Sequence, residues 1–229
     1  MERLLMDKKY ILFDLDGTLT DSYEGIINGI LYALSEMGVA PQPDSFRSVV
    51  GPPLTHTFMD VYGMTAEETE QAIGFFHAYY DAKGKFENKP YEGVLEMLQT
   101  LNAHGKKLMI ATAKPEKTAE EIAEHFGFSP YLCFTAGVKD GTVASENNPD
   151  ARSSKKDVIE YILKANDIKD PENAVMVGDR AYDMEAARAL GLQTVGVLYG
   201  FGSAEELQQA GAQYLAQTPL DVTKYIVEN

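Results

Sequence analysis

A single cysteine, Cys133, stands among 229 residues. It has no partner for an internal disulfide, so a reducing compartment such as the cytoplasm is the expected setting. With Tyr131, Leu132 and Phe134 around it, the thiol reads as buried and inert. Positive charge is also scarce. Twenty Lys and Arg face 35 Asp and Glu, a net charge of -15, and no basic block interrupts the acidity. That balance argues against nucleic acid as a partner. No apolar run reaches the length of a membrane helix, which argues against a membrane partner. The first apolar run ends in two acids and reads as a strand rather than as a signal peptide. The four histidines (His56, His77, His104, His125) lack ligand spacing and read as surface or partly packed. Gly200-Phe201-Gly202-Ser203 lacks the third glycine of a dinucleotide loop, and Ser203 with Glu206 reads as a helix cap. Internal repeats and low-complexity segments are missing too.

What is present begins at Tyr10-Ile11-Leu12-Phe13, which runs directly into Asp14-Leu15-Asp16-Gly17-Thr18-Leu19-Thr20. A buried strand here ends at two carboxylates spaced i, i+2, followed by a glycine turn and hydroxyls. Open α/β sheets bind ligands at the carboxyl ends of their strands. Burying two acids there costs several kcal/mol unless a metal or hydrogen bonds offset it. A divalent cation, with a reaction needing both a nucleophile and an acid, supplies a reason.

Similar short apolar runs bounded by turn residues recur at Lys107 to Ala111, Ala174 to Val177 and Thr194 to Leu198. Their alternation with helical stretches predicts a doubly wound parallel sheet, an α/β Rossmann-like core. The first two strands lie too far apart for one crossover. Between them are amphipathic stretches, Ser22 to Met37 and Thr65 to Lys83, with a Pro-rich joint at Ala40-Pro41-Gln42-Pro43. The expectation is a core of residues 1–20 and 87–229 carrying an inserted α-helical domain over 21–86. The polar stretch Lys139 to Ser154, with Gly141, Ser145, Asn147, Asn148 and Pro149, reads as a long loop.

Later strand ends would bring further groups beside the first acids. Ala111-Thr112-Ala113-Lys114 offers a hydroxyl and a lysine. Val177-Gly178-Asp179-Arg180 offers an acid, with Asp183 four residues on. Ser154 and Asp157 have capping spacing, which sets Lys155 in the first turn of a helix. Acid, acid, hydroxyl, lysine and acid form a kit for phosphoryl transfer. Lys114 and Arg180 read either as extra phosphate grips or as rim salt bridges, and Arg47 as a substrate contact or a solvated side chain.

Asp14-x-Asp16-Gly17-Thr18, Thr112, a downstream lysine and Gly178-Asp179-x-x-x-Asp183 resemble the four motifs of the haloacid dehalogenase superfamily, in order and over nearly the whole chain. The closest likeness is to its phosphoglycolate phosphatase-like branch, which carries a helical cap after the first motif. Gly51-Pro52-Pro53-Leu54 and Val197-Leu198-Tyr199-Gly200 resemble that branch too. The resemblance implies a Mg²⁺-dependent phosphatase in which Asp14 attacks phosphorus and Asp16 serves as acid, then base. It implies phosphate binding by Thr112 and Lys155, with Ala113 and Lys114 beside them, and a metal held by Asp14, Asp16 (through its carbonyl), Asp179 and Asp183. The branch often has proline after the motif lysine. Here Ser153-Ser154-Lys155-Lys156 has none, so Lys155 is chosen with Lys156 as competitor. Asp at position 16 favours phosphatase or phosphomutase chemistry over dehalogenation. The implied partner is a small phosphorylated metabolite, phosphoglycolate first and nucleoside 5′-monophosphates next, with cap aromatics such as Phe58, Phe75, Phe76 or Tyr79 against a base. A sugar phosphomutase and a non-catalytic phosphate-binding protein are the alternatives. Oligomeric state is not legible.

Overall fold

The computed structural model describes residues 8–42, 46–139 and 150–228. The side chain of Arg47, residue Pro43 and the loop residues Gly141, Ser145, Asn147, Asn148 and Pro149 lie outside the described residues. The chain divides into two compact units, one of residues 1–20 with 90–229 and one of residues 21–89.

The first unit is built on six parallel strands: β1 (Tyr10–Phe13), β4 (Lys107–Pro115), β5 (Leu132–Val138), β6 (Ala174–Gly178), β7 (Gln193–Val197) and β8 (Tyr214–Ala216). Their order in the sheet is β5-β4-β1-β6-β7-β8. From β1 the chain thus builds outward to one side and then to the other, and β1 marks the switch point at which such sheets bind ligands. Two-residue periodicity splits β1 between two cores. Ile11 and Phe13 pack with Leu98, Ile122 and Ile226, whereas Leu12 packs with Met109, Ile159 and Ala187. Helices α4 (Val94–Ala103), α5 (Glu116–His125) and α9 (Pro219–Glu228) therefore cover one face, and α6 (Lys155–Ala165) and α7 (Ala181–Ala189) the other. The short helix α8 (Ala204–Ala210) packs Leu207 against Met184 of α7. This is the expected doubly wound α/β fold. Among the described residues, no helix is long and apolar enough to cross a membrane.

Three expectations need correction. Strand β4 runs on to Pro115, past Ala111. Strands β5 and β8 were not expected: the apolar run of β5 stops at Thr135, and β8 is only three residues long. Cys133 is exposed rather than buried, because β5 is an edge strand whose register slips there, leaving Cys133 unpaired between Leu132 and Phe134; its thiol nevertheless donates to the Leu108 carbonyl (3.3 Å). All four histidines are exposed.

The second unit is helical: α1 (Tyr23–Glu36), the short α2 (Phe46–Val49), a π-helical segment His56–Val61, and α3 (Ala66–Ala82). A capping box between Thr65 and Glu68 starts α3. Gly29 of α1 lets the Phe76 ring of α3 come so close that a Cβ there would stand 2.8 Å from it. Phe58 and Phe76 are buried in this unit's core, which removes both from the aromatics available to a ligand. A separate two-stranded sheet pairs β2 (Thr20–Asp21) with β3 (Lys89–Pro90), where the chain passes between the units.

Candidate active site

Asp14 follows β1 directly, and its N–H continues the ladder by donating to the Val177 carbonyl (2.9 Å). The chain then turns back at Gly17, whose φ of 82° falls in the region that favours glycine. A Cβ at Gly17 would lie 2.2 Å from Asp179 Oδ2, so only glycine lets the turn approach the carboxyl end of β6. Strand β6 is buried along its length and delivers Asp179, fully buried, one residue beyond its end. Asp183 stands in the first turn of α7, where its Oδ2 accepts from the Arg180 N–H (3.1 Å). Carboxylate oxygens of Asp14, Asp179 and Asp183 all lie within 4.8 Å of one another.

Lys155 holds this acidic cluster together. Its buried Nζ lies 2.8 Å from Asp14 Oδ1 and 2.8 Å from Asp183 Oδ1, and donates to the Ala111 carbonyl (3.0 Å) within β4. Ser154 caps α6 through its side chain and Asp157, so the lysine enters from the first helical turn. Lys156 is exposed, and Lys155 is the lysine the fold brings to the acids. Burial works to lower the Lys155 pKa, but the charges of Asp14 and Asp183 outweigh it and the net shift is upward. Burial pushes Asp183 up, opposed by Lys155 and reinforced by Asp14. Asp179 is held well above the usual carboxylate range by burial and then by the charges of Asp183 and Asp14. Its Oδ2 accepts from the Phe201 N–H (2.9 Å) and its Oδ1 from Thr18 (3.3 Å).

Asp16 is the most open of the four acids. Its Oδ2 meets Lys114 Nζ at 2.9 Å, while Oδ1 is buried with no hydrogen-bond partner among the described residues. Lys114 is therefore engaged with an acid. Thr112 is buried one position past Ala111, its Oγ1 accepting from the Lys114 N–H (3.2 Å). Ala113 is exposed and can offer only backbone. Arg180 pairs at the rim with Glu206 (2.8 Å), whose carboxylate also accepts from the Ala181 N–H. Sequence reasoning assigned nothing to Thr18, to the Phe201 amide or to the buried phenol of Tyr199. The hydroxyl of Tyr199 has no partner among the described residues, and burial raises its pKa. The close approaches of Gly200 and Gly202 to Asp179 were the available signal for that loop.

Four carboxylates thus face two ammonium groups, which leaves two formal negative charges in a largely dry site. All the anionic donors are oxygen, and burial followed by neighbouring carboxylates pushes the Asp179 pKa up. A hard divalent cation fits such a set.

Residues 11–197 match the haloacid dehalogenase-like hydrolase family. The chain belongs to that family. Among its relatives, a 5′-nucleotidase from Pseudomonas aeruginosa is 37% identical over 201 residues, 86% of each chain. A protein of Mycobacterium tuberculosis named tyrosine-protein kinase PtkA is 39% identical over 197 residues, which span 85% of this chain but 64% of that one. A haloacid dehalogenase-like hydrolase from Streptococcus pneumoniae superposes with a TM-score of 0.85 at 32% identity, covering 95% of this chain and 97% of that structure. In this haloacid dehalogenase-like hydrolase, the match takes in all the acids and both lysines of the cluster.

Proposed function

We propose that this phosphoric monoester hydrolase releases phosphate from a small phosphorylated metabolite in the cytoplasm, through an aspartyl phosphate on Asp14 and with Mg²⁺ bound. The observation that carries the proposal is the triad of Asp14, Asp179 and Asp183 gathered around a single buried lysine. Asp14 Oδ1 is occupied by Lys155 and by the Leu15 N–H (2.7 Å). That leaves Oδ2 to attack phosphorus. As the Oδ2–P bond forms, the bond from phosphorus to the ester oxygen breaks, and Asp16 gives its proton to the departing alcohol. Water then attacks the same phosphorus, Asp16 takes back a proton, and the Asp14 carboxylate is released with inorganic phosphate. Thr112 and Lys155 would hold the phosphoryl oxygens, the lysine as a compact charge, with the Ala113 backbone and Lys114 beside them. Asp14, Asp179, Asp183 and the Asp16 carbonyl would hold the cation, which when bound neutralises charge on phosphate and carboxylates alike. Residues 21–89 would serve as the cap that shields the reaction from bulk water.

Two substrate readings remain. The sequence motifs favoured phosphoglycolate. The 37% identity to a 5′-nucleotidase over most of both chains moves nucleoside 5′-monophosphates to first place. Both rest on likeness rather than on geometry. Phosphate release from nucleoside monophosphates, phosphoglycolate and hexose phosphates, measured with Mg²⁺ beside an Asp14→Asn control, tests the proposal. Release by the wild type alone is expected, and the ranking of rates names the substrate class. Release by the Asp14→Asn protein would overturn the covalent route.

A further inference from the structure

Arg152, 2% exposed, is the largest fully buried side chain among the described residues, and the chemistry above makes no use of it. Its backbone pairs in both directions with Lys139, just beyond β5 (3.0 and 3.1 Å). Its Nε donates to the Gly137 carbonyl in β5 (3.0 Å), and its Nη2 meets Glu116 Oε2 at 2.5 Å. The guanidinium carbon lies over the Tyr161 ring on α6, 3.9 Å from its centroid. Glu116 opens α5 four residues after Thr112, and Lys155 follows Arg152 by three. Gly137 is packed so tightly on the same turn that a Cβ would stand 2.3 Å from the Lys114 carbonyl.

We infer that Arg152 is a positioning residue: clasped by Glu116, Gly137 and Tyr161, it fixes the Lys155 segment against the last stretch of β4, which presents Thr112 and Lys114. Stability alone does not explain such a group. Apolar side chains of similar volume fill buried sites as well as an ion pair does, because the pair must first give up its water. A bidentate-capable, planar cation instead locks direction, since its donors have one geometry and its face another. One phosphate grip comes from strand β4 and the other from the first turn of α6, and an error of about 1 Å between them costs about a hundredfold in rate. This inference rests on the proposed roles of Thr112 and Lys155.

The test uses Glu116→Gln, Arg152→Met and the double variant, each assayed for kcat, for KM and for competitive inhibition by inorganic phosphate. Glu116→Gln strands the buried guanidinium; it should lower kcat by about 10- to 100-fold, weaken phosphate inhibition and lower the thermal midpoint. The double variant removes both charges, so its midpoint should return toward wild type while kcat and phosphate inhibition stay impaired. Recovery of activity in step with the midpoint would reduce the pair to a structural role and overturn the inference. Unchanged kcat and phosphate inhibition in Glu116→Gln would also overturn it, and that variant decides the matter alone if Arg152→Met does not fold. Thr112→Ala and Lys155→Met separate the two readings. If they leave phosphate inhibition intact, the phosphate grips are misassigned; if they impair it and Glu116→Gln does not, Arg152 is.

Discussion

Replacing Lys155 by methionine should do more damage in the absence of metal than in its presence. The ammonium group is buried, 2.8 Å from each of two carboxylates, and a third acid lies within the same cluster. Methionine keeps most of the stem and removes the only cation that touches both Asp14 and Asp183 among the described residues. Breaking a buried pair by deleting one partner costs about 3–5 kcal/mol, because the other charge stays buried. At about 2–4 °C per kcal/mol for a domain of this size, the midpoint should fall by roughly 6–20 °C in EDTA. Mg²⁺ replaces the missing positive charge, so it should raise the midpoint of Lys155→Met by more than it raises that of the wild type. The loss should also shrink on acidification, as Asp183, already displaced upward by burial, takes up a proton. Thermal unfolding with EDTA or Mg²⁺ at two pH values reads all three effects. A variant within about 1 kcal/mol of wild type in EDTA would refute the idea that Lys155 offsets the acids. Equal Mg²⁺ stabilisation of both proteins would refute their overlap with a metal site.

The metal-free wild type should lose stability as pH rises. Asp179 and Asp183 carry raised folded pKa values, so their contribution is fully present below the unfolded value of about 4 and is lost as pH passes the raised ones. Mg²⁺ should accordingly stabilise more at pH 7.5 than at pH 5, and a titration of the midpoint at both values checks this. Asp16→Asn should lower kcat by about 10²–10⁴-fold while leaving the midpoint near that of wild type, because Asp16 is the most exposed of the four acids; steady-state kinetics with thermal unfolding decides. Gly17→Ala should lower both stability and Mg²⁺ affinity, since its Cβ would press on Asp179 Oδ2 in a backbone region alanine avoids; calorimetric Mg²⁺ titration of a folded Gly17→Ala protein with wild-type affinity would contradict it.

The legible parts of the sequence were those in which one physical rule acted alone. Strand β1 is apolar at every position because both its faces are covered, and the run Tyr10 to Phe13 gives its bounds directly. Lys155 could be preferred to Lys156 because a capping pair fixes where α6 begins. Edge strand β5 was not legible. Its apolar run is short and stops at Thr135, and the apolar neighbours of Cys133 suggested a burial that an edge strand does not supply. Arg152 lay hidden for a different reason. It sits in a polar stretch that the sequence reads as a long loop, and burial of one arginine depends on Glu116 and Tyr161, which come from elsewhere in the chain. Lys114 was noticed, but its partner Asp16 was not, since a contact across two strand ends leaves no local spacing.

Strand β1 sits in the middle of the sheet, paired on one side to β4 and on the other to β6. Thr18 and its partner Asp179 are 161 positions apart in the chain. On a ribosome adding about 5–20 residues per second, β1 waits roughly 8–30 s for its second neighbour. During that time one edge of β1 is open, and Asp14 and Asp16 can meet their lysines but neither Asp179 nor Asp183. Nascent chains should therefore depend on chaperones most strongly before β6 emerges, and the site should form last.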